Sequence, residues 1–106
     1  MPALGVIQKK AMGFVYILSN KSRDVFYTGV TGNIWYRISQ HRKGDGSSFT
    51  KKYNVIYLMY YEEHDRMIDA IEREKRIKRW KRDWKINLIK SVNPQMRDLW
   101  IDYREY

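Results

Sequence analysis

Five side chains in this 106-residue sequence have the types and spacings to do chemistry together. Tyr16 sits in the run Phe14-Val15-Tyr16-Ile17-Leu18, and Tyr27 in Val25-Phe26-Tyr27-Thr28-Gly29-Val30-Thr31. Arg37 and His41 are four apart, which puts both on one face of a helix. Glu74 stands inside an apolar helical stripe, beside Ala70, Ile71 and Ile77. A carboxylate in that place needs a cation, either Lys78 or Lys81 nearby or a metal ion. One carboxylate completed by water and phosphate oxygens is an ordinary way to hold Mg2+. Zinc chemistry is not supported, because the only histidines are His41 and His64 and there is no cysteine. Taken singly, each group also has a plain structural reading: two strand tyrosines, two surface residues of a helix, and a stripe-edge glutamate paired with lysine.

The elements that must position these groups can be read from local pattern. The two tyrosine-bearing runs are rich in β-branched and aromatic residues and flank the polar cluster Asn20-Lys21-Ser22-Arg23-Asp24, which predicts a β-hairpin. Pairing Ser19 with Asp24 sets Tyr16 directly opposite Tyr27, with both phenols on one face; a slip of one residue would separate them. Asn33 is a strong N-cap and Gly44 suits the C′ position, so a helix is expected over residues 34–43. Ile34 and Ile38 mark its apolar face. Residues 42–53 hold two glycines and two serines and read as a loop. Residues 55–61 form a third strand, apolar on both faces and so expected at the sheet centre. Asp65 is placed to cap a helix whose periodic apolar residues are Met67, Ala70, Ile71, Ile77, Trp84 and Leu88. The pattern breaks near Arg82-Asp83, where Asp83 suits the cap of a second piece. After Asn93-Pro94 the chain returns through Met96, Leu99, Trp100 and Ile101 onto the core. The order β-β-α-β-α-α predicts a small α/β layered domain, a three-stranded sheet flanked by helices.

Length argues for one domain, here residues 13–100, with residues 1–12 as an N-terminal extension and 101–106 as a tail. A net charge of +9 points to a polyanionic partner, nucleic acid first and an anionic membrane surface second. The charge is segregated: residues 73–90 carry nine Lys or Arg against two acids, and residues 37–53 five against one, while the rest of the chain is net negative. A charge run on one helix is usually a solvated face. Two segments of one sign set against an opposing remainder favour nucleic acid, with Lys43, Lys51, Lys52, Arg76, Lys78, Arg79 and Arg82 as candidate phosphate contacts. Some aromatics could stack on unpaired bases. Trp80, Trp84 and Tyr57, however, sit where a small core needs bulky fillers. No apolar run approaches the roughly 18 residues needed to span a bilayer, and no signal peptide is evident, so a cytoplasmic protein with no membrane role is expected.

In order along the chain, these pieces resemble the GIY-YIG nuclease superfamily, in particular its small single-domain bacterial members related to the N-terminal nuclease domain of the UvrC repair protein. Phe14-Val15-Tyr16 stands where that family has its first triplet and Tyr27-Thr28-Gly29 where it has its second. Arg37 and His41 match its helix motif. Thr50-Lys51-Lys52, Tyr60-Tyr61-Glu62, the run from Ala70 to Trp80, and Asn93-Pro94 match the small-member signature. The likeness spans about residues 13–100. Phe14 and Val15 replace glycine and isoleucine in the first triplet and Thr28 replaces isoleucine in the second, all at packing positions.

The resemblance implies metal-dependent hydrolysis of phosphodiester bonds, with DNA as the expected substrate and repair or recombination as the setting. It implies one Mg2+ or Mn2+ ion on Glu74, Arg37 as a phosphate clamp, and Tyr16 as general base on water. Tyr27 would orient water or phosphate, and Asn93 (with Asn87 as the alternative) would steady the site. A free phenol is a poor base at neutral pH; Arg37, the metal and His41 are the groups that would lower its pKa or accept its proton. With no separate recognition module expected, a protein partner for targeting fits the reading. The rival reading is a non-catalytic nucleic-acid-binding module that keeps the fold; the intact set of five side chains speaks against it.

Overall fold

The structure, a computed structural model, describes residues 11–100. The proposed ends, residues 1–10 of the extension and the 101–106 tail with Ile101, lie outside them. Elements run β1 Gly13–Ser19, β2 Phe26–Thr31, α1 Ile34–Arg42, α2 Ser48–Tyr53, β3 Tyr57–His64, α3 Met67–Lys78 and α4 Arg82–Val92. The antiparallel sheet has the order β2-β1-β3. Each face carries its own core. On one, Val15 and Ile17 meet Met59, Ala70, Ile77 and Ile89, so α3 and α4 lie there. On the other, Tyr16 and Leu18 meet Ile34, Ile38, Val55, Leu58 and Trp100, so α1 lies there. This is the period-two alternation of a strand buried on both sides.

That makes β1 the central strand. β3 was expected there from its apolar residues on both faces, and it is an edge. The returning chain explains why an edge strand can be so apolar. Asp98 Oδ1 accepts from Leu58 N at 3.0 Å, Leu99 N donates to Leu58 O at 2.8 Å, and Asn93 Nδ2 donates to Met59 O at 3.0 Å. Three backbone groups of the apolar half of β3, Leu58 N, Leu58 O and Met59 O, are thereby satisfied without a further strand.

The hairpin turn is longer than expected. Asn20 Oδ1 accepts from the backbone of Asp24 and Val25 at 3.0 and 3.2 Å, Arg23 takes a positive φ of 61°, and the ladder begins at Ser19 with Phe26 rather than Asp24. Tyr16 therefore pairs with Gly29 and Tyr27 with Leu18. The register differs from expectation by two residues. An even shift keeps every side chain on its face, so the phenols remain diagonal neighbours with ring centroids 6.3 Å apart.

Asn33 caps α1 as read, accepting from Tyr36 N at 3.1 Å, and Gly44 follows the helix at φ 86°. Residues 48–53 form α2 where a loop was expected. Ser47 supplies the cap, its Oγ accepting from Thr50 N at 3.3 Å, and Asn54 ends the turn at φ 55°. A cap and a left-handed stop outweigh the glycines beside them. The N-cap positions of α3 and α4 fall to Arg66 and Lys81, neither with a capping side chain, instead of to Asp65 and Asp83; Asp83 sits in the first turn of α4. Among the described residues no helix is long and apolar enough to cross a membrane.

Thr28 faces the α3 side of the sheet, in register with Ile17. It is buried, and among the described residues its Oγ1 has no hydrogen-bond partner. A buried hydroxyl left unpaired costs about 1–3 kcal/mol, and valine has nearly the same shape. Thr28→Val should therefore raise stability by about 1 kcal/mol, moving the thermal midpoint up by several degrees in a melting experiment. A lowered midpoint would mean that the hydroxyl has a partner.

Candidate active site

The site forms where β1, the β2 edge and α1 meet. Tyr16 is 1% exposed, and its ring runs across the neighbouring strand at Gly29. A Cβ on Gly29 would overlap Cζ and the phenolic oxygen of Tyr16, so only glycine lets this phenol cross its own ladder partner. The ring ends at His41, whose Nε2 lies 3.0 Å from Tyr16 Oη. His41 is itself 2% exposed, so it is no surface residue of α1. Tyr27 closes the group, its ring centroid 5.6 Å from His41, and Phe49 of α2 stacks on Tyr27 at 6.1 Å.

The protonation pattern follows from α2. Thr50 Oγ1 donates its one proton to Ser47 O at 3.0 Å. Toward His41 Nδ1, 3.2 Å away, it can only accept. With the Thr50 proton on Ser47 O, Nδ1 carries the imidazole proton and Nε2 accepts from Tyr16 O–H. Gly46 presses on the same place, since a Cβ there would overlap His41 Nδ1. Thr50, Ser47 and Gly46 had no assigned role from sequence. The signal available was a serine three residues before a threonine, hidden in a stretch read as loop.

Burial dominates the electrostatics. It pushes the Tyr16 phenol up to about 12, against the pull of the Arg37 guanidinium and with the help of Tyr27 and Glu74. Arg37 does pull the phenol down, as expected, but desolvation outweighs it, which leaves His41 in the other expected role, as acceptor of the phenolic proton. Burial, with Arg37 adding to it, holds His41 down to about 4. His41 is neutral when folded, while an unfolded histidine titrates near 6.5. Below that pH the unfolded chain binds more protons, so stability is full above about 6.5 and falls as pH drops toward about 4. The loss should approach about 3 kcal/mol. Urea unfolding between pH 7 and 5 should show this slope in the wild type and not in His41→Gln; equal slopes would exclude His41 as its source.

Glu74 lies on the buried side of α3 with Ala70 and Ile77, 8% exposed, as its position in the stripe implied. Its Oε2 meets Lys78 Nζ at 2.7 Å, and its charge reaches Tyr16. Arg37 is half-buried on α1, its Nη1 donating to Gln40 Oε1 at 3.1 Å. Tyr16, Tyr27 and His41 are thus in ring contact on the α1 side of the sheet, with Arg37 acting on the Tyr16 phenol; Glu74, on α3, is joined to them only through the effect of its charge on Tyr16.

Asn93 is not tied into this group by any of its hydrogen bonds. It is buried at the C-cap of α4, its Nδ2 donating to Met59 O and Arg97 O, and its Oδ1 accepting from Arg97 N at 3.2 Å. Those bonds tie α4 to β3. Asn87 lines a concavity beside Trp80 and Trp84. The candidate phosphate contacts divide. Lys43, Lys51 and Lys52 are exposed on the α1–α2 side, Lys78 is taken by Glu74, and Arg76 and Arg79 face outward from α3. Arg82 lies over the Phe26 ring at 5.3 Å.

The family model described as the GIY-YIG catalytic domain matches residues 12–87. A UPF0213 protein of Clostridium perfringens is 38% identical over 80 residues, covering 76% of this chain and 85% of that one. A UPF0213 protein of Staphylococcus aureus is 34% identical over 78 residues, covering 74% and 94%. The solution NMR structure of a UPF0213 protein of Bacillus halodurans superposes with a TM-score of 0.52 at 26% identity, covering 78% of this chain and 87% of that one. With its two tyrosine triplets on adjacent strands and the α1 histidine against both rings, this chain belongs to the GIY-YIG nuclease family, among the UPF0213 proteins.

Proposed function

We propose that the protein is a metal-dependent endonuclease that hydrolyses phosphodiester bonds in nucleic acid, with DNA as the substrate. The observation that carries this reading is the ordered chain Tyr16–His41–Thr50, a buried phenol within hydrogen-bond reach of an imidazole nitrogen. A non-catalytic binding module would need these residues only to satisfy buried polar groups.

A hard divalent ion, Mg2+ or Mn2+, suits the donor chemistry. Among the described residues no group of three His, Cys, Asp or Glu comes together. The protein would thus offer the single carboxylate of Glu74, leaving the other positions to water and substrate phosphate. When bound, such an ion stabilises negative charge on the phosphate and on the leaving oxygen.

The chain's own residues supply the proton path and the grip. The attacking water forms its bond to phosphorus while giving a proton to Tyr16 Oη. Tyr16 passes its own proton to His41 Nε2 in the same motion, so a free phenolate, costly for so buried a phenol, is never required. The P–O3′ bond breaks, the departing oxygen takes a proton from solvent water, and His41 then returns its extra proton to solvent. Arg37 presents a planar fork of donors to the non-bridging oxygens. Tyr27 orients water or phosphate. Lys43, Lys51 and Lys52 hold the flanking backbone through salt-sensitive contacts.

The test is a cleavage assay on labelled single-stranded, duplex and branched DNA and on RNA, with Mg2+ or Mn2+ and with chelator. Cutting that needs the ion supports the enzyme and identifies its substrate form. Tight, salt-sensitive binding of all four without cutting would favour the binding module.

A further inference from the structure

The sequence marked Trp84 as a core filler; the structure leaves it 56% exposed. It stands edge-on to Trp80, with ring centroids 6.1 Å apart and an interplanar angle of 77°. Trp80 is half-buried against the α3–α4 core, and the Arg73 guanidinium covers it at 5.2 Å. Among the described residues Trp84 has no such cover. Concavities of 330 and 510 Å³ adjoin the pair. The smaller is an open, mostly apolar concavity lined also by Asn87, Leu88 and Ser91 of α4. The larger is rimmed by Lys75, Arg76 and Arg79 against one acid, Glu72.

This groove lies away from the catalytic group. Arg76 and Arg79 stand roughly 140–160° around α3 from Glu74. Glu74 faces the sheet, so the groove opens on the outer side of the α3–α4 elbow. A surface that pairs a free indole face with three cations suits a ligand that is flat and apolar on one side and anionic on the other. An unpaired nucleotide within a strand has both properties; a duplex hides its base faces.

We propose that the Trp80–Trp84 groove is a second nucleic-acid site that takes an unpaired stretch of strand, stacking a base on Trp84 and holding the adjoining phosphates with Lys75, Arg76 and Arg79. It does not depend on whether Glu74 supports cleavage. It would hold a strand flanking the one in the catalytic cleft, giving the chain a preference for junctions between paired and unpaired segments.

The test is fluorescence anisotropy in chelator, where nothing is cut, using a labelled oligothymidylate of about ten nucleotides and a blunt duplex. Trp84→Ala should weaken oligothymidylate binding about tenfold or more and leave duplex binding within about twofold. Trp84→Phe should restore most of the loss, and Arg79→Ala should weaken binding and flatten its salt dependence. Because Trp84 is exposed, the alanine variant should keep the wild-type melting midpoint.

Unchanged oligothymidylate binding in Trp84→Ala would overturn the proposal, as would equal losses for both probes. It would also be overturned if Trp84→Ala abolished binding to phosphatidylglycerol vesicles, or a concentration-dependent dimer, while sparing the oligothymidylate. Trp84-dependent strand binding by a protein that cuts no substrate would leave this site standing and sink the nuclease reading.

Discussion

Glu74→Gln should abolish metal-dependent cleavage, with a loss of about 10³-fold or more, while the protein stays folded. The substitution keeps the shape of the side chain and an oxygen that can accept from Lys78 Nζ, now 2.7 Å from Oε2. Lys78 is half exposed and can be hydrated when its partner loses charge, so the cost to stability should stay within about 1 kcal/mol. The carboxylate's affinity for a hard cation is what glutamine lacks. Cleavage rates against divalent-ion concentration, beside a thermal melt, separate the two roles. If Glu74 serves only as the buried partner of Lys78, the melt shifts and cleavage survives. Full activity in a folded Glu74→Gln protein would end the metal-ligand assignment.

Tyr16→Phe should lower the cleavage rate about 10²–10⁴-fold. Only one oxygen is removed, and the ring still crosses Gly29 and fills the α1-side core. His41 Nε2 loses its donor, which should cost about 1–2 kcal/mol of stability, a cost the fold should tolerate. The pH–rate profile tests the proton path itself. If cleavage needed a preformed Tyr16 phenolate, whose pKa lies at about 12, the rate would climb about tenfold per pH unit above neutrality. Transfer to His41 as water attacks predicts a nearly flat rate from about pH 6 to 9, because His41 titrates only near pH 4. A steep rise that persists in His41→Gln would rule out the relay.

Much of this site could be read from residue type and spacing. The period-two pattern of the hairpin put both phenols on one face, and a register error of two residues left that intact. The i, i+4 spacing put Arg37 and His41 together on α1. The place of Glu74 in an apolar stripe announced a buried carboxylate, and Lys78 is the lysine it meets. These are local facts, set by backbone periodicity within a single element.

Other features were decided between elements. Whether His41 is surface or core depends on how α2 closes over α1, and its tautomer depends on where Thr50 sends one proton. The direction of the Tyr16 shift rests on how deeply the ring is enclosed, which overcomes an adjacent arginine. The apolar run of β3 can end at the sheet edge because residues 93–99 bond the backbone of Leu58 and Met59. Trp84 and Ile77 share a helical pattern in sequence, yet the turn at residues 79–81 leaves one exposed and the other buried. Sequence determined which side chains share a face. Tertiary structure decided which faces are dry, because desolvation is a property of everything packed around a group and not of its own neighbours along the chain.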